Sequence, residues 1–377
     1  MSPRRVWAIA RKEFLHILRD PRSLAMAIAI PMLMLVLFGY ALTLDVDNVP
    51  MAVWDPSATA ASRELIAQFD GSRYFAVRRY VHNYRELEEA IDTREALVGL
   101  VIPTDFARWV ESGRRAEVQL IVDGSDSNTA TIALGYADIV ALAYSQNVVL
   151  RTTQRLGAPA LRAPLDVRPR VWFNTDMQSK NYIIPGLIAL IMMIIAALLT
   201  SLTVAREWER GTMEQLISTP IKGPELILGK LLPYFAIGML DVAIAVVMGQ
   251  FLFQVPLRGS VALLFGLSAV FLAGALSLGL VFSIVAKNQL LANQMAMVLT
   301  FLPTFLLSGF VYAIANMPRP IQIITYVIPA RYFIAVLKAI YLKGVGLEII
   351  ALEAALLTLF GAAMVALANR KFRKKLV

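Results

Sequence analysis

The chain has 377 residues, 58% hydrophobic and only 17% charged, with a mean hydropathy of +0.63; soluble domains average about 25% charged and about 45–50% apolar, so this is an integral membrane protein. The net charge of +9 does not point to nucleic acid, because the basic residues flank apolar runs: Arg4, Arg5, Arg11, Lys12, Arg19 and Arg22 precede the first run, and Arg370, Lys371, Arg373, Lys374 and Lys375 follow the last. Cysteine is absent, which removes disulfide and thiolate chemistry.

Residues 1–22 predict a cytoplasmic helix lying in the membrane interface. In "RRVWAIARKEFLHILRDP", Trp7, Ala10, Phe14 and Ile17 share one face, and Arg5, Lys12, His16 and Arg19 share the opposite one. Asp20 followed by Pro21 reads as an N-cap and first helical position, opening the first span at 23–44. That run exceeds a signal-peptide core and lacks a small-x-small cleavage site. As a helix it reaches across about 30 Å of hydrocarbon.

Residues 45–178 alternate between strand and helix patterns. Strands are expected at 51–55, 74–81, 96–103, 116–123 and 165–173, and helices at 57–69, 84–93, 104–112 and 127–156, so the block predicts an α/β domain. "DGSDSN" does not fit a calcium loop, because Gly124 is at its second position and no Glu falls at the twelfth; Asp126 or Ser127 caps the helix that follows.

Further spans are expected at 181–205, 227–254, 260–286, 290–312 and 347–369. The stretch "IQIITYVIPARYFIAVLKAIYL" (321–342) is either a seventh span or a re-entrant segment covering 314–345. Six spans put both basic ends on one face, as the positive-inside rule favours, whereas seven put the tail 370–377 opposite the basic N-terminus. Pro329, Arg331 and Lys338 interrupt the extra stretch, and irregular backbone at membrane depth must be buried in protein. With six spans both termini are cytoplasmic and 45–178 is extracytoplasmic. Pro31, Pro233 and Pro303 are expected to kink their helices, and Ala275 and Gly279 form a small-xxx-small pair.

The second span runs into "REWERGTMEQLISTP" (206–220). Gly211 reads as a left-handed helix end, Thr212 and Gln215 as a capping box opening a short new helix, and Thr219-Pro220 as its stop. A rigid helix held between two spans on the cytoplasmic face is a lever. Met213, Leu216 and Ile217 are expected to face the bilayer or a partner's groove, and Glu207, Glu209, Arg210 and Glu214 to offer charge to a partner surface.

"ARKEFLHILRDPRSL" and "REWERGTMEQLISTPIKGPELILGKLLPY" resemble the permease subunits of type-2 ATP-binding-cassette (ABC) exporters, and "VDGSDSNTA" is similar to the external domain of the bacterial drug-export branch. The resemblance spans the chain. It implies an inner-membrane helical protein of six spans with an inserted extracytoplasmic α/β domain and a re-entrant segment after the fifth span. It also makes 206–220 a coupling helix docking on a separate ATPase through Glu207, Glu209, Arg210, Thr212, Met213, Glu214, Gln215 and Leu216. The interfacial helix, with Lys12, Glu13, Arg19 and Asp20, braces it. Expected partners are two copies of an ABC ATPase that bind ATP and magnesium, a second permease as homodimer or heterodimer, membrane lipid and a periplasmic adaptor.

"GPELILGK" (223–230) is not a phosphate-binding loop: five residues separate its glycines and Leu231 follows Lys230. His16 and His82 are isolated, so no catalytic or metal constellation is expected, and the chain itself is not an enzyme. Asp241 and Glu353 fall within expected spans; each either lines the translocation path, as Asn293 and Gln294 do on the same reading, or pairs with a polar group of a neighbouring span. The leading function is export of a hydrophobic or amphipathic compound, drug-like or lipid. The alternatives are an ATPase-coupled mechanotransmitter acting through the external domain and an ion-coupled transporter using Asp241 and Glu353.

Overall fold

A computed structural model describes residues 1–19, 21–42, 47–155, 172–174 and 178–372. The chain divides into two compact units, residues 44–169 and the remainder, 1–43 with 170–377. The expected cap at Asp20, most of the strand at 165–173 and the tail from 373 onward lie outside the described residues.

The second unit carries α1 (Pro3–Arg19), α2 (Pro21–Ala41), and, beyond the insert, α7 to α15. The insert carries β1 (Val49–Trp54), α3 (Ala60–Asp70), β2 (Phe75–Val81), α4 (Tyr84–Asp92), β3 (Val98–Val101), α5 (Phe106–Glu111), β4 (Gln119–Val122) and α6 (Ser127–Arg155). Its sheet has the order β2-β1-β3-β4, with β1 parallel to both neighbours and β4 antiparallel to β3. Alternation in β1 sends Met51 and Val53 to a face covered by Leu65, Ile66 and Phe69 of α3, Phe106 of α5, and Ala133, Ala137, Val140 and Tyr144 of α6. Ala52 turns to the other face, where Leu87 and Ala90 of α4 pack. Gly99, opposite Ala52, makes room there: a Cβ on it would meet Leu87 Cδ1 at 2.9 Å. Asp126 caps α6 by accepting the Thr129 N–H.

The remaining helices are α7 (Ser179–Glu209), α8 (Thr212–Ser218), α9 (Gly223–Phe251), α10 (Val261–Ala286), α11 (Gln289–Ala296), α12 (Leu302–Leu307), α13 (Arg319–Thr325), α14 (Pro329–Lys338) and α15 (Ala351–Lys371). Among the described residues, six helices are long and apolar enough to cross a membrane: α7, α9, α10, the continuous 289–307, α15 and residues 129–151 of α6. The side chains of α6 that pack on the sheet assign it to the insert. α2, 21 residues long, carries the shorter apolar stretch Ala27–Ala41 and reaches about 30 Å at about 1.5 Å per residue. A π-helical stretch, Met297–Phe301, joins α11 to α12, and Pro303, which has no amide donor, follows directly after it.

Helix α7 is the hub. Ile183 to Ala197 are buried along it, against α2, α9, α10 and α14. Its closest approach is to α10: a Cβ on Gly279 would lie 2.3 Å from the Ala197 carbonyl oxygen, and Thr200 Oγ1 donates to the Leu276 carbonyl at 2.7 Å. The Ser283 hydroxyl accepts from the Val204 and Ala205 amides, each at 2.9 Å. The 321–342 stretch is two helices, with 319–325 and 329–343 meeting at 83°. The cations that interrupt it are engaged: Arg331 donates to Thr325 Oγ1 and stacks on Tyr326, with its guanidinium 4.0 Å from the ring centroid. Lys338 lies over the Tyr182 ring at 3.2 Å.

Candidate functional site

Two residues separate the short helix α8 from α7, Arg210 and then Gly211, which is in left-handed conformation with φ of 69°. No side chain occupies the space its missing Cβ would fill, so the glycine is required by backbone conformation and not by packing. The charged run after the apolar core of α7 is not a separate element: Arg206, Glu207 and Glu209 complete the last turn of α7, and Arg210 caps it. The Thr212/Gln215 capping box does not form. Thr212 is already helical, Gly211 holds the cap position, and Thr212 Oγ1 points back to donate to the Glu207 carbonyl at 3.4 Å.

Two expected partner-facing residues face inward. Met213, 1% exposed, is seated among Ile9 of α1, Val204 of α7, Leu226 of α9, Leu280 of α10 and Ala368 of α15, with Leu216 half-buried beside it. An amphipathic helix this short has only one apolar face, and this chain's own core takes it. Glu207 is buried as well. Its Oε1 lies 2.9 Å from Lys230 Nζ and 3.1 Å from Lys12 Nζ, and Lys230 Nζ is 3.1 Å from Glu13 Oε1. Two lysines and two glutamates thus form a neutral cluster joining α1, α7 and α9. Lys230 itself is 1% exposed. Burial alone would lower the Lys12 pKa, but the carboxylates of Glu207 and Glu13 outweigh it and raise it.

Glu209 also has an internal partner, accepting from the Gln289 amide at 2.8 Å and from the Gln289 side chain, so it ties the end of α7 to the start of α11. Arg206 reaches Gln289 Oε1 at 3.4 Å and His16 Nε2 at 3.3 Å. Arg210, Glu214 and Gln215 remain exposed. A cleft of about 490 Å³ opens beside α8, walled by Lys12, Glu13, Arg206, Arg210 and Gln215 among others.

The faces of α1 also differ from the expected ones. Ile9, Ala10, Glu13 and Ile17 are buried, while Trp7 and Phe14 are exposed. Trp7 and Phe14 thus form a second apolar stripe on the outward side of α1. Arg19 is exposed. Sequence reasoning missed Lys230 and Gln289. The signal for Lys230 was present: a Gly-Lys pair near the start of a span, in a chain whose neighbouring segments carry Glu13 and Glu207. A Cβ on Gly229 would meet Ile9 Cβ at 2.7 Å, so "GK" marks the crossing of α1 over α9 and the central cation of the cluster.

The intramembrane candidates are not gathered into one site. Asp241 is buried on α9 and lines a small apolar cavity. Asn293 lines a neighbouring cleft of about 250 Å³ with His16 and Arg206. Gln294 is exposed. Glu353 is half-buried in the first turn of α15, nearer the helix end than the expected span placed it, because residues 347–350 form a turn. No group of three or more potential metal-binding side chains occurs among the described residues.

The description of the ABC-2 family transporter protein matches residues 21–369. The chain is 39% identical over 345 residues to the probable multidrug ABC transporter permease YbhS of Escherichia coli K12, covering 91% of this chain and 90% of the relative. It is 32% identical over 349 residues to the probable multidrug ABC transporter permease YbhR of the same organism, with 92% of each chain covered. It is 24% identical over 359 residues to the inner membrane transport permease YhhJ, covering 91% of this chain and 92% of that one. From residue 21 to residue 369, through spans, insert and short helix alike, this chain belongs to the ABC-2 family of transporter proteins.

Proposed function

We propose that this chain is the permease of an ATP-driven exporter in the bacterial inner membrane, carrying a hydrophobic or amphipathic compound outward while a separate ATPase hydrolyses ATP. Membership of an ABC transporter family and the multidrug permease names of YbhS and YbhR support this class over the ion-coupled alternative. In this reading both termini are cytoplasmic, the α/β insert is extracytoplasmic, and α13–α14, bent by 83°, form the re-entrant segment. ATP and magnesium belong to the ATPase, present in two copies. A second permease, identical or homologous, completes the path, and the insert is the surface for a periplasmic adaptor.

The observation that carries the proposal is the mounting of α8. Met213 keys it into a core shared by five other helices, Gly211 sets its angle, and the Lys12–Glu13–Glu207–Lys230 cluster locks the helices behind it. A helix so braced transmits displacement instead of absorbing it. The ATPase contacts are Arg210, Glu214 and Gln215, the residues this mounting leaves outward. Arg210→Glu combined with Glu214→Lys is expected to reduce recovery of the ATPase in a pull-down at least tenfold, about 1.4 kcal/mol, while the spans still insert. Recovery equal to wild type would show that α8 is not the docking element.

A further inference from the structure

Among the described residues, Asp241 is the one charged side chain lining the small cavity between α2, α7, α9 and α10, and it is 5% exposed. Both of its carboxylate oxygens are buried without a hydrogen-bond partner. The walls around it are Pro31, Leu35, Ile188, Met192 and Leu272, with the ring of Tyr234. A carboxylate at membrane depth is costly unless paired or wet, and no cation among the lining residues offsets this one.

We propose that Asp241 anchors a lipophilic monocation, an organic ammonium bearing N–H donors, and that this is the cargo class of the exporter proposed above, on which the cargo assignment rests. Five features of the site select that chemistry. The cavity at Asp241 has a volume of about 20 Å³, and a water-sized group needs roughly 10–15 Å³, so it takes an ammonium head and nothing larger. The adjoining cleft of about 250 Å³ shares Ile195, Leu199 and Tyr234 as walls and is otherwise lined mainly by apolar side chains, which suits the body of a small amphiphile. A bare alkali ion is disfavoured: hard cations require several oxygen ligands, and here a single carboxylate faces hydrocarbon. The Tyr234 ring adds an aromatic face that attracts a cation. Arg206 and His16 line only the larger cleft, so a positive head gains by moving away from Arg206 to Asp241.

The test measures binding of tritiated 4-phenylbutylamine to the full chain in nanodiscs by scintillation proximity, with neutral 4-phenylbutanol as competitor. The amine is expected to bind wild type, to bind Asp241→Asn at least tenfold more weakly, and to bind Asp241→Glu with most of its affinity retained; the alcohol is expected to compete poorly. Asn reproduces the shape of a protonated Asp, and folding of each variant is checked by its unfolding temperature. Equal binding of the amine to wild type and Asp241→Asn overturns the proposal, as does an alcohol that competes as well as unlabelled amine, or a wild-type chain that binds no amine. The exporter reading fails separately. Amine binding through Asp241 with no ATP-driven movement in vesicles that also hold the co-purified ATPase keeps the site and removes the exporter. ATP-driven export of a neutral compound, with amine binding indifferent to Asp241→Asn, keeps the exporter and removes the site.

Discussion

Replacing Lys230 by Met tests whether the charge cluster is a structural lock. The Lys230 side chain is 2% exposed and bridges Glu13 and Glu207, at 7% and 9% exposure. Removing one partner from a buried pair costs about 3–5 kcal/mol, because the stranded charge stays out of water. Lys12 remains 3.1 Å from Glu207 and 3.7 Å from Glu13, which places the expected loss near the lower end, about 3 kcal/mol. Lys12→Met provides the comparison. Its side chain is 59% exposed, so the same kind of contact is worth only about 0.5–1 kcal/mol after solvent screening. Adding Glu207→Gln to Lys230→Met removes a charge of each sign, and a coupling of about 1–3 kcal/mol is expected between the two substitutions. Reversible unfolding in mixed micelles, titrated with dodecyl sulfate, gives all four stabilities. If Lys230→Met costs no more than Lys12→Met, or if the double variant loses the sum of its singles, the cluster is not the lock described here.

Two further outcomes follow from packing and from protonation. Gly279→Ala places a Cβ 2.3 Å from the Ala197 carbonyl oxygen, where only backbone movement relieves it, and is expected to lower stability by about 1–3 kcal/mol; Gly266→Ala on the same helix meets nothing within 4 Å and is expected to cost nothing, as their unfolding temperatures would show. In the insert, the His82 amide and then the Asn83 side chain hold the Glu86 pKa below 4.5, and the Ser125 hydroxyl and then its amide hold Asp123 below 3.8. Depressed carboxylates stabilise the fold above their unfolded values and lose that contribution as pH falls through the folded ones. Protection of the His82 and Ser125 amides is therefore expected to fall on acidification below about pH 4 and to be unchanged between pH 6 and pH 8.

The parts of this fold legible in the sequence are those set by period and by proline. Expected strands at 51–55, 74–81, 96–103 and 116–123 fall on β1 to β4, because alternation over a half-buried sheet is a local signal. Pro329 and Arg331 announced the break at 83° because one lacks an amide donor and the other needs a polar partner at the bend. What period and proline cannot give is direction. Met213 reads equally well as an anchor for a partner or a plug for the chain's own core, and the choice depends on Ile9, Leu280 and Ala368, which are far away in sequence. Lys230 and Glu207 were each visible, one as part of a failed phosphate motif and the other as part of a charged helix end; only the crossing of α1 at Gly229 brings them together. The Thr212 capping box failed for a local reason that pattern matching ignores, since left-handed Gly211 had already taken the cap position.

Helix α7 has almost no surface of its own left, whereas α11, the π-helical stretch after it and α12 leave Leu290, Met297, Val298, Leu299 and Leu302 exposed. The two stretches therefore answer different questions in a mutational scan. Substitutions between Ile183 and Ala197 report on how one chain is assembled and should be indifferent to lipid composition or to a second copy. Substitutions along 290–302 report on the surroundings and should change with them. A scan of α7 is thus an internal standard against which the identity of those surroundings can be read.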